Sequence, residues 1–139
     1  MNSTPYKAPD SELSVTSVVE IPLEILEGIK HAWLAPLIIC ILGILGVIFY
    51  FYQGYQGAEF LVKSGVITAI LFALSVSFYM RVLVPSFLFL LAFCSIKIWE
   101  YLTLGTLTGI AGLVIILYFS IKGFISIYKL NILEKAPNQ

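Results

Sequence analysis

The sequence predicts an all-α fold, an integral membrane four-helix transmembrane bundle led in by a short N-terminal amphipathic interfacial helix. Three observations carry that expectation. Residues 32–58 contain no Asp, Glu, Lys, Arg or His, whereas a helix needs only about 20 apolar residues to cross a bilayer core. Further apolar runs follow in rapid succession. Over all 139 residues, 60% are hydrophobic and 12% charged, with mean hydropathy +0.99, far from the roughly 25% charged of an ordinary soluble domain.

Formal net charge is zero, but its sign is unevenly spread. Residues 1–31 hold Lys7 and Lys30 against Asp10, Glu12, Glu20, Glu24 and Glu27, a balance of −3, and the remainder carries +3. The basic residues are single and dispersed, so they form no nucleic-acid footprint. The expected surroundings are a lipid bilayer with a protein partner or further copies of the chain.

Taken in order, residues 1–14 are polar and contain Pro5 and Pro9. They read as a disordered cytoplasmic tail, unable to bury enough apolar area to offset the entropy of ordering. A signal peptide is not expected, because a basic n-region is missing and the first apolar run is too long for an h-region. Residues 15–31 read as a linker and the amphipathic helix. Pro22, Ile25, Leu26, Ile29 and Trp33 recur at intervals of three and four, while Glu20, Glu24 and Glu27 fall on the other side. Such a helix lies at a membrane surface. Its acidic face would be repelled by anionic lipid, so either protein contacts hold it down or apolar burial and its tether do. It reads as a simple elbow into the membrane or as a partner-docking face.

The transmembrane domain is expected over residues 32–129, with spans at about 33–52, 60–82, 86–101 and 107–128. Pro36 falls in the first turn of the first span, where proline is tolerated. Trp33 marks one interface, and Phe49, Tyr50, Phe51, Tyr52 and Tyr55 the other. The turn Gln53-Gly54-Tyr55-Gln56-Gly57 leads to the second span. Pro85 is expected to break the run that follows, with a turn near Val84–Ser86. Unbroken, residues 60–104 would make a helix about 68 Å long, over twice the core thickness. The third span is the shortest, Gly105 and Thr106 form the next turn, and residues 130–139 are a cytoplasmic tail.

The opening Pro5-Tyr6-Lys7-Ala8-Pro9, followed by Asp10-Ser11-Glu12-Leu13, resembles the leader of many small multi-spanning bacterial inner-membrane proteins. In those an Asn usually precedes the Pro, where this chain has Thr4. The resemblance covers about nine residues and brings no catalytic residue; it implies a bacterial cytoplasmic membrane and a cytoplasmic N-terminus. Lys and Arg near the span ends agree with that orientation. Lys30, Arg81, Lys122, Lys129 and Lys135 share one side against Lys63 and Lys97 on the other, which places both termini in the cytoplasm.

Helix contacts in lipid favour small residues that let backbones approach. Gly105, Gly109, Gly112, Ser120 and Gly123 form a stripe on the fourth span, and Gly65, Ala69, Ala73 and Ser77 step by four along the second. Cys40, Gly43 and Gly46 make a weaker seam in the first. The fourth and second spans are therefore expected to make the closest contacts, within one chain or between copies. The alternative is that these stripes only reflect the general abundance of Gly in membrane helices.

Reactive chemistry is sparse. His31, the one histidine, sits beside Lys30 at a membrane boundary and reads as an interfacial anchor. Cys40 and Cys94 have no C-x-x-C spacing and read as buried reduced thiols. No nucleophile elbow, P-loop or dinucleotide fingerprint is present, and no catalytic residue, cofactor or metal is implied. Among the charges, Lys97 and Glu100 are three apart on one helical face and can pair, flanked by Trp99 and Tyr101. They read as an interfacial anchoring pair or as a gate or ion-coupling site, and Arg81 and Lys122 as headgroup anchors. Three functions of different kinds remain, of which a membrane enzyme is disfavoured for want of any catalytic constellation. Of the other two, one is a non-enzymatic accessory, assembly or immunity-type protein acting through helix contacts. The other is a homo-oligomeric carrier or channel, since four spans and this length resemble the small multidrug carriers. That likeness stops at architecture, because those carriers rest on a carboxylate in the first span and this chain has none there.

Overall fold

A computed structural model describes residues 20–54, 57–105 and 109–136. Four helices follow in chain order: α1 (Leu23–Tyr52), α2 (Ala58–Tyr79), α3 (Leu83–Leu104) and α4 (Ile110–Lys135). At 1.5 Å per residue they are about 45, 33, 33 and 39 Å long, and each is long and apolar enough to span a membrane. The stretch resembling a bacterial leader, and the tail of residues 1–14, lie outside the described residues.

Several boundaries differ from the sequence expectation, each for a physical reason. The expected interfacial helix and the first span are one continuous helix, α1, which starts after Pro22. Its apolar positions Ile25 and Ile29 are buried in the protein core rather than laid on a surface. They join Ile127 and Leu130 of α4 in one hydrophobic cluster. The acidic face of α1 has a protein neighbour as well: Glu24 lines a small cleft with Lys122 and Lys129 of α4. Opposite charge on α4 accompanies this glutamate.

Because α1 begins ten residues before Trp33, Pro36 is inside the helix and not in its first turn. Proline has no N–H, so the carbonyl four residues earlier, that of Ala32, loses its helical donor. The neighbouring carbonyl of Trp33 accepts a hydrogen bond from Ser75 Oγ of α2 at 2.7 Å. The helix is thus tied to its neighbour where its own hydrogen-bond ladder is weakest.

The α2–α3 turn comes earlier than Pro85. Helix α2 ends at Tyr79, Arg81 adopts φ 59°, and α3 starts at Leu83. Pro85 then occupies the first turn of α3, where its missing N–H costs nothing. This makes α3 a 22-residue helix, longer than the span of 86–101 expected. Gly105 closes it at φ 66°, donating its N–H to the Tyr101 carbonyl at 2.9 Å; the left-handed conformation there suits glycine. Gly109, at φ 76°, is the N-cap of α4 and lies before the helix, not within it. At its other end α4 continues to Lys135, and Leu130 is buried, so residues 130–135 are helix and not tail.

The helices run antiparallel in turn. Helix α1 packs against both α2 and α4, α3 packs mainly on α2, and the α3–α4 seam is slight. The most tightly sealed part of the core sits toward the start of α1 and the end of α4. Phe78 of α2 is fully buried and stacks edge-on to Phe124 of α4, with centroids 5.1 Å apart. Phe124 in turn meets Phe87 of α3 at 6.3 Å, so one aromatic row joins three helices.

Candidate functional site: helix seams and an interhelical ion cluster

The closest helix approach is between α1 and α4. A Cβ on Gly28 would overlap the side chain of Ser126, and one on Gly123 would overlap Ala32 Cβ and lie 3.1 Å from the Phe78 ring. Small residues on both helices meet at one crossing: Gly28 and Ala32, one turn apart on α1, against Gly123 and Ser126 of α4. Gly123 belongs to the stripe expected from sequence. Its chief neighbour within the chain is α1, not α2, although Phe78 of α2 also touches it.

The other small residues behave differently. Gly112 has Ile39 at ordinary contact distance, Gly109 faces Lys97 Nζ at 3.9 Å, and Gly65 and Gly105 have open space where a side chain would stand. Ala69 is exposed and Ala73 half-buried. Sequence reasoning missed Gly28, which falls in the stretch expected to be a surface helix. The signal was present in the Gly28/Ala32 spacing, a small-xxx-small pair four residues apart. Ser120 is fully buried, and its hydroxyl is without a hydrogen-bond partner among the described residues. It therefore serves the seam by its size.

Between α1 and α2 an apolar groove of about 450 Å³ runs past Cys40, Ile44, Gly65, Thr68, Ala69 and Phe72. The Cys40 thiol is buried and points to the Thr68 carbonyl, 3.7 Å away. Cys94, on α3, is half-buried, and both cysteines are free. His31 is exposed, with its ring 5.7 Å from that of Phe119 on α4.

The ion cluster is at the other end of the bundle. Lys97 Nζ donates to Glu100 Oε2 at 2.9 Å, the i,i+3 pair expected, and Lys63 of α2 joins it, with Nζ 2.8 Å from Glu100 Oε1. The Glu100 side chain is 9% exposed, that of Lys97 13% and that of Lys63 45%. Glu100 is therefore no outward anchor; it is a buried carboxylate shared by two ammonium groups, tying α2 to α3. Its position near the end of α3 limits the desolvation that a fully buried pair would suffer. Arg81 and Lys122, by contrast, are exposed toward the end of the bundle where α1 starts and α4 finishes.

From sequence, Lys63 is only a residue that reaches an interface. Its partner is legible in one respect. Lys63 lies 18 residues before Arg81 and Glu100 19 after it, so an antiparallel hairpin turning at Arg81 brings both to the same level. A turn at Pro85 would displace that register. No protein-family model matches the chain, and no curated protein or solved structure matches it either.

Proposed function

We propose that the chain is a polytopic protein of the bacterial inner membrane with both termini in the cytoplasm, acting through helix–helix contacts as an accessory, assembly or immunity-type component. One observation carries this reading. Small residues that permit close approach remain unoccupied on α1 and α2: a methyl group on Gly46 or Gly65 would meet no neighbour within 4 Å, and Gly65 lines the open apolar groove between these helices. In lipid, such positions favour a neighbouring helix over an acyl chain because van der Waals packing is the main attraction between spans. The leader resemblance supports the bacterial membrane. The five-to-two bias of basic residues supports the orientation.

Purification of the intact chain in mild detergent, after crosslinking in the native membrane, tests the proposal. A stoichiometric partner protein is expected, and Gly65→Leu is expected to weaken its retention. Solute or ion flux in liposomes containing only this chain would overturn the proposal in favour of a carrier or channel.

A further inference from the structure

Two hydroxyls at the seam between α1 and α2 have no partner. Ser77, Ser86, Ser95 and Thr103 each donate to the carbonyl four residues earlier, at 2.7–2.9 Å, which is how a helix hides a hydroxyl within itself. Ser75 reaches across to α1. Ser64 and Thr68, one turn apart on α2, do neither: among the described residues their side chains make no hydrogen bond. Both line the groove of about 450 Å³ between α1 and α2 and a smaller cleft, of about 220 Å³, beside it. We infer that the helix seated in this groove presents an uncharged carboxamide, an Asn or Gln side chain, to Ser64 and Thr68. The inference rests on the partner-helix reading above and names the chemistry of that partner.

Depth provides the first argument. Ser64 and Thr68 lie about 9 and 15 Å from the start of α2, the second at the middle of that 22-residue helix. In a spanning helix this is hydrocarbon, where no water completes a hydroxyl. Ser120 and Ser126 also make no hydrogen bond among the described residues, but both are buried, out of reach of a further helix. Ser64 and Thr68 are half-buried and border the open groove.

The lining provides the second. Neither Glu59 nor Lys63, the charged residues of α2, lines the groove or the cleft, and the charges of α1, Glu24, Glu27 and Lys30, lie toward its opposite end. An ammonium or carboxylate seated at this depth would be unpaired, which is costly in lipid. A wholly apolar helix would leave both hydroxyls unanswered. A carboxamide avoids both costs. Side chains four residues apart on a helix are about 6 Å apart, and an amide between them accepts from one hydroxyl through its oxygen and donates to the other through its nitrogen. Gly65 and Ala69 line the same groove, and residues this small let a second backbone come close enough for so short a side chain to reach.

The test replaces Phe72, an exposed aromatic on the groove, by the photocrosslinking residue p-benzoylphenylalanine in the full chain in its native membrane, and reads the crosslinked peptide by mass spectrometry. The expected peptide is a transmembrane segment of another protein with an Asn or Gln within two turns of the attachment point. Capture of a protein is not support by itself; the hydroxyls must matter. Ser64→Ala together with Thr68→Val should lower the crosslinked yield by about fivefold to tenfold, the effect of two interhelical hydrogen bonds in lipid, while the detergent-denaturation midpoint of the chain alone stays unchanged. Replacing the partner's amide residue by Leu should give the same loss and add nothing to the double variant. A yield that the double variant leaves intact overturns the inference, as does a partner segment that is wholly apolar or charged there, or a peptide from a second copy of this chain. A lowered midpoint for the chain alone would assign the hydroxyls to folding and overturn it too. Crosslinks to lipid alone would instead sink the partner-helix reading on which the inference rests.

Discussion

The end of the bundle where α1 starts and α4 finishes and the end near the α1–α2 and α3–α4 turns both carry many apolar residues, yet they are packed very differently. Toward the start of α1 and the end of α4, Ala32, Leu74, Phe78, Ile127 and Leu130 are sealed from all sides. Toward the other end, Ile41, Leu42, Ile44, Leu45, Ile48 and Phe49 of α1 are exposed. In water such a surface would collapse or recruit a partner. In lipid it costs little, since acyl chains solvate leucine as well as another leucine does. Burial in this chain therefore follows side-chain size at the crossings and not hydropathy. Where Gly28, Ala32, Gly123 and Ser126 let α1 and α4 touch, larger neighbours interlock around them. Where no such crossing exists, the helices separate and leave grooves, and polar chemistry, the Lys63–Glu100–Lys97 cluster, holds α2 to α3.

That contrast can be broken most directly at the crossing. Gly123→Leu would force the side chain into Ala32 and Phe78 and should cost about 3 kcal/mol or more, read as loss of the folded fraction in a detergent-denaturation titration. Phe78→Ala comes next. It opens a cavity beneath the aromatic row and should cost on the order of 2 kcal/mol from the cavity alone, in the same titration.

Two serines sharpen the point at lower energy. Ser75→Ala removes the bond to the Trp33 carbonyl next to Pro36 and should cost about 0.6–1 kcal/mol. Ser120→Ala removes a buried hydroxyl that has no partner among the described residues, so it should be neutral or slightly stabilising. At the far end, Ile48→Ala should change stability by less than about 0.5 kcal/mol. If Ile48→Ala cost as much as Phe78→Ala, the two ends would be equally packed and the contrast would be lost.

The helices and their order were legible because long uncharged runs have few alternatives in any solvent. So were the turn at Gly105 and the Lys97–Glu100 pair, both set by local geometry. The α1 start was not. An amphipathic pattern over residues 22–33 reports that one face is covered, but not by what, and a surface helix and a helix packed on α4 give the same periodicity. Pro85 is ambiguous for a related reason, since a proline is as much at home in the first turn of a helix as in the loop before it. Lys63 and Gly28 stayed hidden behind these two ambiguities: the partner of each depends on where a neighbouring helix begins.

The unequal helix lengths have a mechanical consequence. Helix α1 exceeds α2 by eight residues, about 12 Å. Its surplus stands beyond the Arg81 turn alongside the last turns of α4, where Ile25, Ile29, Ile127 and Leu130 remain packed. Were the helices to span a thin bilayer, this stub would sit in water; in a thicker one its first turns could submerge without the rest of the bundle tilting. The submersion would stop where Glu24 and Glu27 of the stub, and Lys122 and Lys129 of α4, had to leave water, so these charges would set the greatest hydrocarbon thickness the protein tolerates.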